Sequence, residues 1–289
     1  MIKGIILAML AAFSWGGAIV MSKASLDELN PGSLFLFQII SAAILSWAVL
    51  LAARTNFPLN KRSMLAYSTG LFEPFLAYTL TLYGLEIVPV GIASVIFSLE
   101  SVFILILSVV ILRVRVETPG IFSLLLCAAM TGSLMTVLPD TRGEGGSLEG
   151  YLLVIIGVLS AAFYVVISSK LVAEFTPLAL LTGQLTFCVI LSVISLLISG
   201  TPVLLPVNSI LLVVFSGVMQ YFLAFFLYLH ALQWIQVHVA GVMLYFIPVI
   251  ALVLSWLFLG EIISIVQATG IIMTITSVFW LNRKYGQNE

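Results

Sequence analysis

Gly70-Leu71-Phe72-Glu73-Pro74-Phe75-Leu76-Ala77 returns 147 residues later as Gly217-Val218-Met219-Gln220-Tyr221-Phe222-Leu223-Ala224, and this spacing decides how the chain is read. The same shift, without a gap, sets Val90 on Val237, Ala93 on Ala240, Val95 on Val242, Val102 on Val249 and Lys23 on Lys170. A shift of 146 sets Pro31 on Pro177 and Gln38 on Gln184, so a one-residue indel reconciles the ends. One structural unit therefore occurs twice.

The residues around these copies say what kind of unit it is. Of 289 residues, 62% are hydrophobic and 8% charged, whereas about a quarter of a soluble domain is charged. Such a chain is a polytopic membrane protein. Eleven Lys and Arg against twelve Asp and Glu leave no basic surface for nucleic acid. Cys127 and Cys188 each lie inside an apolar run without a CxxC partner or neighbouring His ligands, and read as packing residues rather than a disulfide. The segment Ile5 to Met21 follows Lys3 as a signal peptide would, but no small-residue cleavage site and soluble domain follow it, so it reads as the first span.

Ten apolar runs of spanning length follow one another at 4–22, 33–53, 63–85, 90–112, 119–138, 150–169, 177–198, 208–232, 237–259 and 262–281. Pro, Gly and Asn punctuate the short connections, as in Asn30-Pro31-Gly32 and Thr176-Pro177. The predicted fold is an all-α integral membrane bundle of ten transmembrane helices. Residues 1–138 form the first five-helix repeat, 139–149 a polar linker, 150–281 the second repeat and 282–289 a tail. Five spans per copy is odd, so the second copy enters the membrane upside down. Inverted repeats of this kind surround a central cavity with a substrate site near the midplane. With the amino terminus inside, Lys3, Arg54, Lys61, Arg62, Arg113, Arg115, Lys170, Arg283 and Lys284 fall on the cytoplasmic side, against Lys23 and Arg142 outside. Both termini are thus predicted cytoplasmic, in the cytoplasmic (inner) cell membrane.

Two spans carry a carboxyl near their middle. Glu73 lies 11 residues after Arg62 and 13 before Glu86, and Glu100 reaches a similar depth from the other side. A charge at the bilayer centre costs about 2.5 to 3.5 kcal/mol even on mild insertion scales, so it marks a paired or aqueous site. The two readings are structural glue between helices and a cation or proton site in which two coupled carboxyls exchange protons with substrate. Trp15, Gln38, Tyr78, Gln184 and Gln220 stand at matching depth, with Tyr164, Tyr221 and Tyr245 also well inside spans. Aromatics beside carboxylates suit an amphipathic or cationic solute. The candidate substrate-binding or proton-coupling set is Glu73, Glu100, Trp15, Gln38, Tyr78, Gln220 and Tyr245. His230 and His238 lack metal-ligand spacing, and neither a metal nor a cofactor is expected.

Leu244-Tyr245-Phe246-Ile247-Pro248-Val249-Ile250-Ala251, followed by Leu257-Phe258-Leu259-Gly260-Glu261, resembles the EamA family of the drug/metabolite transporter superfamily. Ala12-Phe13-Ser14-Trp15-Gly16-Gly17 with Lys23 resembles its first-helix pattern. The resemblance covers nearly the whole chain. It implies a ten-helix bundle with a central cavity that exports, or in some members imports, small metabolites such as amino acids. The first copy departs from the pattern, with Leu99-Glu100-Ser101-Val102 where the second has Phe246-Ile247-Pro248-Val249, which makes Glu100 distinctive.

The leading function is a secondary transporter that moves a small metabolite, an amino acid, amine or related amphipathic compound, by alternating access, as a proton-coupled exporter. The alternative is a flippase for lipid or lipid-linked substrates, for which only Lys23 and Lys170 are placed to meet phosphate. No Ser/His/Asp, Cys/His or HExxH arrangement supports an enzyme, and no Gly-rich phosphate loop supports an ATP-driven pump. The expected partners are a small-molecule substrate and membrane lipid. Small residues such as Gly16, Gly17, Ala128, Gly132 and Gly270 suit either a monomer or a homodimer.

Overall fold

A computed structural model describes residues 2–25, 28–87, 96–97, 99–114, 147–259 and 272, and every regular element among them is helical. Helix α1 (Ile2–Ser25) leads to α2 (Pro31–Ala52). A broken helix follows, made of α3 (Lys61–Tyr67), a 3-10 turn (Ser68–Leu71), a π turn (Phe72–Leu76) and α4 (Ala77–Ile87). After α5 (Glu100–Leu112) come α6 (Leu148–Leu171) and α7 (Pro177–Ser199). Helices α8 (Ile210–Gly217) and α9 (Ala224–Ala231) join through a second π turn (Val218–Leu223). Helix α10 (Val237–Met243) is separated from α11 (Phe246–Leu259) by a turn at Leu244 and Tyr245.

Among the described residues, six stretches are long and apolar enough to cross a membrane: Ile2–Ser22, Pro31–Ala52, Leu148–Leu171, Pro177–Ser199, Ile210–Ala231 and Val237–Phe258. They coincide with six of the ten predicted spans. The predicted third span is the broken helix from Lys61 to Ile87, and the described part of the fourth is α5 with the residues just before it. The predicted fifth span, the linker up to residue 146 and the tail lie outside the described residues, as does the tenth span apart from Ile272.

Helix starts follow local chemistry. Asn30 caps α2 by accepting the Ser33 N–H at 2.8 Å, and Thr176 caps α7 by accepting the Ala179 N–H at 3.4 Å. Each cap precedes a proline at the first helical position, where the missing N–H has no intrahelical partner to lose. Deeper in the chain proline has the opposite effect. Pro248 cannot donate to the carbonyl of Leu244 and its ring crowds that group, so the helix stops at Met243 and restarts at Phe246. Pro74 acts similarly on the residues before it, and Glu73 takes the extended backbone favoured before proline, φ −146°, ψ 130°.

Packing separates a lipid-facing side from a protein-facing side. On α1 the exposed Ile2, Ile6, Leu10 and Phe13 recur at helical spacing, while Ala8, Ala11, Ala12, Trp15 and Ala18 are buried. That small-residue face lies against α9 and α11, where close backbone approach replaces the hydrophobic drive that lipid removes. Helix α2 packs on α7 and α8, and α6 packs on α4 and α5.

Contacts between the two halves come in matched pairs. Ser14 donates to the Met219 carbonyl at 2.7 Å, and Ser160 to the Phe72 carbonyl at 2.9 Å. Gly70 lies so close to the Gln184 backbone that a Cβ would collide with it, and Gly217 lies as close to the backbone of Gln38. In each pair the residues differ by 146 or 147 in number.

The loops sort into two ends. At one, the Asn30 amide donates to the Pro202 carbonyl at 3.0 Å and the Leu204 N–H to Ser33 Oγ at 2.8 Å. At the other, Arg62 pairs with Glu174 at 2.7 Å, Lys3 Nζ sits 4.2 Å over the Trp234 ring, and Gln233 donates to the Val172 carbonyl.

Candidate functional site

The breaks in the helices put two carboxyls where the halves meet. Glu73 stands on the extended residue inside the broken third helix and is 9% exposed. Glu100 is the first residue of α5, where the partial positive charge of a helix N-terminus favours an acid. The neighbouring Ser101 hydroxyl donates to the Gly241 carbonyl at 2.7 Å, which ties this end of α5 to α10. Glu73 and Glu100 are close enough to interact electrostatically.

Aromatic side chains from five helices form one cluster within electrostatic reach of them. Trp15 of α1 meets Phe225 and Tyr228 of α9 edge-on, with ring centroids 5.1 and 5.5 Å apart. Phe35 of α2 stacks on Tyr78 of α4 at 6.2 Å and meets Tyr221 at 5.6 Å, while Tyr78 and Tyr221 are 5.1 Å apart. Tyr164 of α6 closes the ring against Phe225 at 5.8 Å. Tyr78, Tyr164, Tyr221 and Tyr228 all lie within electrostatic reach of Glu73, and Tyr78 and Tyr228 also within that of Glu100. Trp15 Nε1 and the Tyr228 hydroxyl are buried and make no hydrogen bond of normal geometry among the described residues.

A polar relay runs beside this cluster. Gln38 Nε2 donates to Ser22 Oγ at 2.7 Å and to Ser216 Oγ at 2.8 Å. Ser22 Oγ donates onward to Gln220 Oε1 at 3.3 Å, and Gln220 Nε2 reaches the Tyr221 hydroxyl at 3.3 Å. A second relay also joins the halves: the Tyr164 hydroxyl donates to Gln184 Oε1 at 3.0 Å, and Gln184 Nε2 to Thr69 Oγ1 at 2.8 Å. Amide groups satisfied in this way are positioned rather than free.

Of the residues expected from sequence, Glu73, Glu100, Trp15, Tyr78 and Gln220 converge on one region. Gln38 is 3% exposed and joins α2 to α1 and α8 through its amide. Tyr245 occupies the turn between α10 and α11 and is buried in the main core. Phe35 and Phe225 carry no mark in the sequence, because in an apolar span an inward phenylalanine reads like a lipid-facing one, whereas Tyr228 bears the same signal as Tyr221, a hydroxyl inside an apolar run.

A cleft of about 190 Å³ opens between α2, α4 and α7, lined by Asn30, Phe35, Phe75, Thr79, Tyr83, Ser192 and Thr201 among others. It begins at the Asn30 end of the bundle and reaches Phe35 of the aromatic ring. A larger depression of about 430 Å³ lies at the opposite end, between Leu112, Val114, Ser169 and the residues from Leu232 to Val237, and touches none of the site residues. No group of three His, Cys, Asp or Glu suited to a metal ion occurs among the described residues.

Charged contacts hold the two ends outside the apolar spans. The Arg62 guanidinium, donating through Nε and Nη2 at 3.0 and 2.7 Å, holds the Glu174 carboxyl below its usual range and is itself raised. At the other end the Asn208 N–H and Ser209 hydroxyl hold the Glu28 carboxyl below its usual range.

Comparison with known proteins fits this architecture. The model of the EamA-like transporter family matches residues 2–138 and again 148–283. An uncharacterized transporter of Archaeoglobus fulgidus is 24% identical over 283 residues, which are 98% of this chain and 99% of the relative. The uncharacterized transporter YdfC of Bacillus subtilis is 24% identical over 270 residues, 91% of this chain and 86% of its own. A solved crystal structure superposes with a TM-score of 0.82 at 20% identity, covering 95% of this chain and 94% of that one, which speaks for the fold alone. Both halves of the sequence being matched in turn, the chain belongs to the EamA-like transporter family.

Proposed function

We propose that the protein is a proton-coupled secondary transporter of ten transmembrane helices. Two inverted five-helix repeats, 1–138 and 150–281, would surround a site containing Glu73 and Glu100, and the solute would be a small amino acid, amine or related amphipathic compound. The observation that carries this reading is that Glu73 and Glu100 lie within electrostatic reach of each other and of the tyrosines in an aromatic cluster built from both halves. The matched contacts of Ser14 with Ser160 and of Gly70 with Gly217 support the repeat, since an inverted pair meets its mate reciprocally.

Alternating access then means rocking of one half against the other around a fixed site. The cleft at the Asn30 end and the ion pair at the Arg62 end support a state open on the first side and tied on the second. Positive residues assign the Arg62 end to the cytoplasm of an inner membrane.

Carboxyls that hold either protons or solute couple the two by competition. Where protons are more abundant outside, they load from that side and displace solute brought from within, so export follows. The test is a screen in proteoliposomes of the purified protein, with amino acids, amines and nucleosides supplied with and without a pH gradient. Gradient-dependent flux of one solute class supports the carrier reading, and the absence of flux for every class refutes it.

A further inference from the structure

We infer, on top of the carrier reading above, that the transported solute is an organic cation that carries no carboxylate: an amine with an aromatic or apolar body rather than an amino acid.

Glu73 and Glu100 are the only acidic residues inside the ten predicted spans, and none of the eleven Lys and Arg lies inside one. The site therefore offers two groups able to hold negative charge and no Lys or Arg to neutralise an anion, while the two histidines, His230 and His238, flank the stretch from Leu232 to Val237 at the Arg62 end. A zwitterionic amino acid would bring an ammonium that fits and a carboxylate left without a cationic partner in a buried place, which is strongly unfavourable. An amine keeps the favourable half and omits the other.

The walls add to this. Tyr78, Tyr221 and Tyr228 lie within electrostatic reach of Glu73, and Trp15 packs edge-on against Tyr228; aromatic rings attract a cation while covering an apolar body. Trp15 is 6% exposed and Tyr228 1%, yet among the described residues the Tyr228 hydroxyl has no hydrogen-bond partner and the indole N–H meets only the Tyr78 hydroxyl, outside normal hydrogen-bond geometry. A buried polar atom without a partner is costly unless a ligand or water meets it. Both belong to rings in mutual contact at 5.5 Å, and Tyr228 is within electrostatic reach of both carboxyls. A neutral hydroxyl on the solute's aromatic body would meet them without bringing a further negative charge beside the two carboxyls.

The experiment uses solutes matched except for the carboxylate: tyramine with tyrosine, phenethylamine with phenylalanine, and cadaverine with lysine, with a nucleoside as a neutral control. Flux into proteoliposomes of the full chain is measured for each. The expected result is that each amine moves at least about tenfold faster than its amino acid at equal concentration. Trp15→Phe, which keeps a ring and removes the N–H, should weaken tyramine competition more than phenethylamine competition. Amino acids moving as fast as their amines would overturn the inference and leave the carrier reading standing, as would flux of the nucleoside alone. No flux of any solute would overturn both.

Discussion

Gln38 on α2 and Gln184 on α7 do the same thing from opposite halves: each donates its amide at 2.8 Å to a hydroxyl one residue before the glycine that its own backbone crowds, Ser216 before Gly217 and Thr69 before Gly70. The match is one of backbone approach and of side-chain bonding together, which chance pairing of apolar helices does not produce. Replacing Gln184 by Leu leaves the Tyr164 and Thr69 hydroxyls without that amide, and replacing Gln38 by Leu does the same to Ser22 and Ser216. Each change should lower stability in detergent by about 0.6 to 2 kcal/mol. A double-mutant cycle of Gln184→Leu with Thr69→Val should show coupling. No coupling would mean that the bond holds nothing.

Position 73 should be unequal to its mate at 220. Glu73→Gln removes a charge-bearing group from the aromatic ring, whereas Gln220→Glu alters a residue already bonded to Ser22 and Tyr221. Transport assays should find the larger loss in Glu73→Gln, and equal losses would assign the two halves equivalent chemistry.

The loop contact at Glu28 should weaken in acid. Its carboxyl is held below the ordinary value of 4.5 by the Asn208 N–H and the Ser209 hydroxyl, so its folded pKa is lower than its unfolded one. Such a group contributes stability above the unfolded value and loses it as pH falls through the folded value. The melting difference between wild type and Glu28→Gln should be present at pH 7 and vanish below that range. Glu174 has the same sign through Arg62, and because that pair is exposed and screened by solvent, Arg62→Ala should shift the melting temperature little.

Sidedness has its own check. A reporter fused after Lys284 should register cytoplasm and one inserted at Gly145 the outside. Both on one side would contradict ten spans, and with them the inversion of the second half.

Much of this arrangement was legible in residue order. Spans appear as apolar runs because lipid demands them, and Pro74 and Pro248 announce the interruptions near Glu73 and Tyr245 because proline lacks the N–H that a continuous helix needs. The π turn from Val218 to Leu223 carries no such mark: no proline lies in it. The aromatic ring was half visible. Tyr78, Tyr164 and Tyr221 stand out as polar atoms in apolar runs, but Phe35 and Phe225 do not, since a membrane helix is hydrophobic on both its lipid and its protein faces. Periodicity, which separates inside from outside in water, loses that contrast here. Ser216 and Thr69 were hidden for a different reason. Hydroxyls commonly bond their own helix backbone, as Ser216 does to Val213 and Thr69 to Ala66, and only the glutamines reaching them from the other half distinguish these two.

The central claim is that Glu73 and Glu100 exchange protons for solute, and one comparison tests it most directly. Proteoliposomes containing wild type or Glu100→Gln are loaded with solute, and flux is recorded both as equilibrium exchange and as accumulation driven by an imposed pH gradient. Glutamine keeps the hydrogen-bonding shape but cannot titrate. The predicted result is that exchange persists in Glu100→Gln while gradient-driven accumulation is lost and the pH profile flattens. A Glu100→Gln protein that accumulates solute with the wild-type pH profile would contradict the claim and leave Glu100 a structural residue.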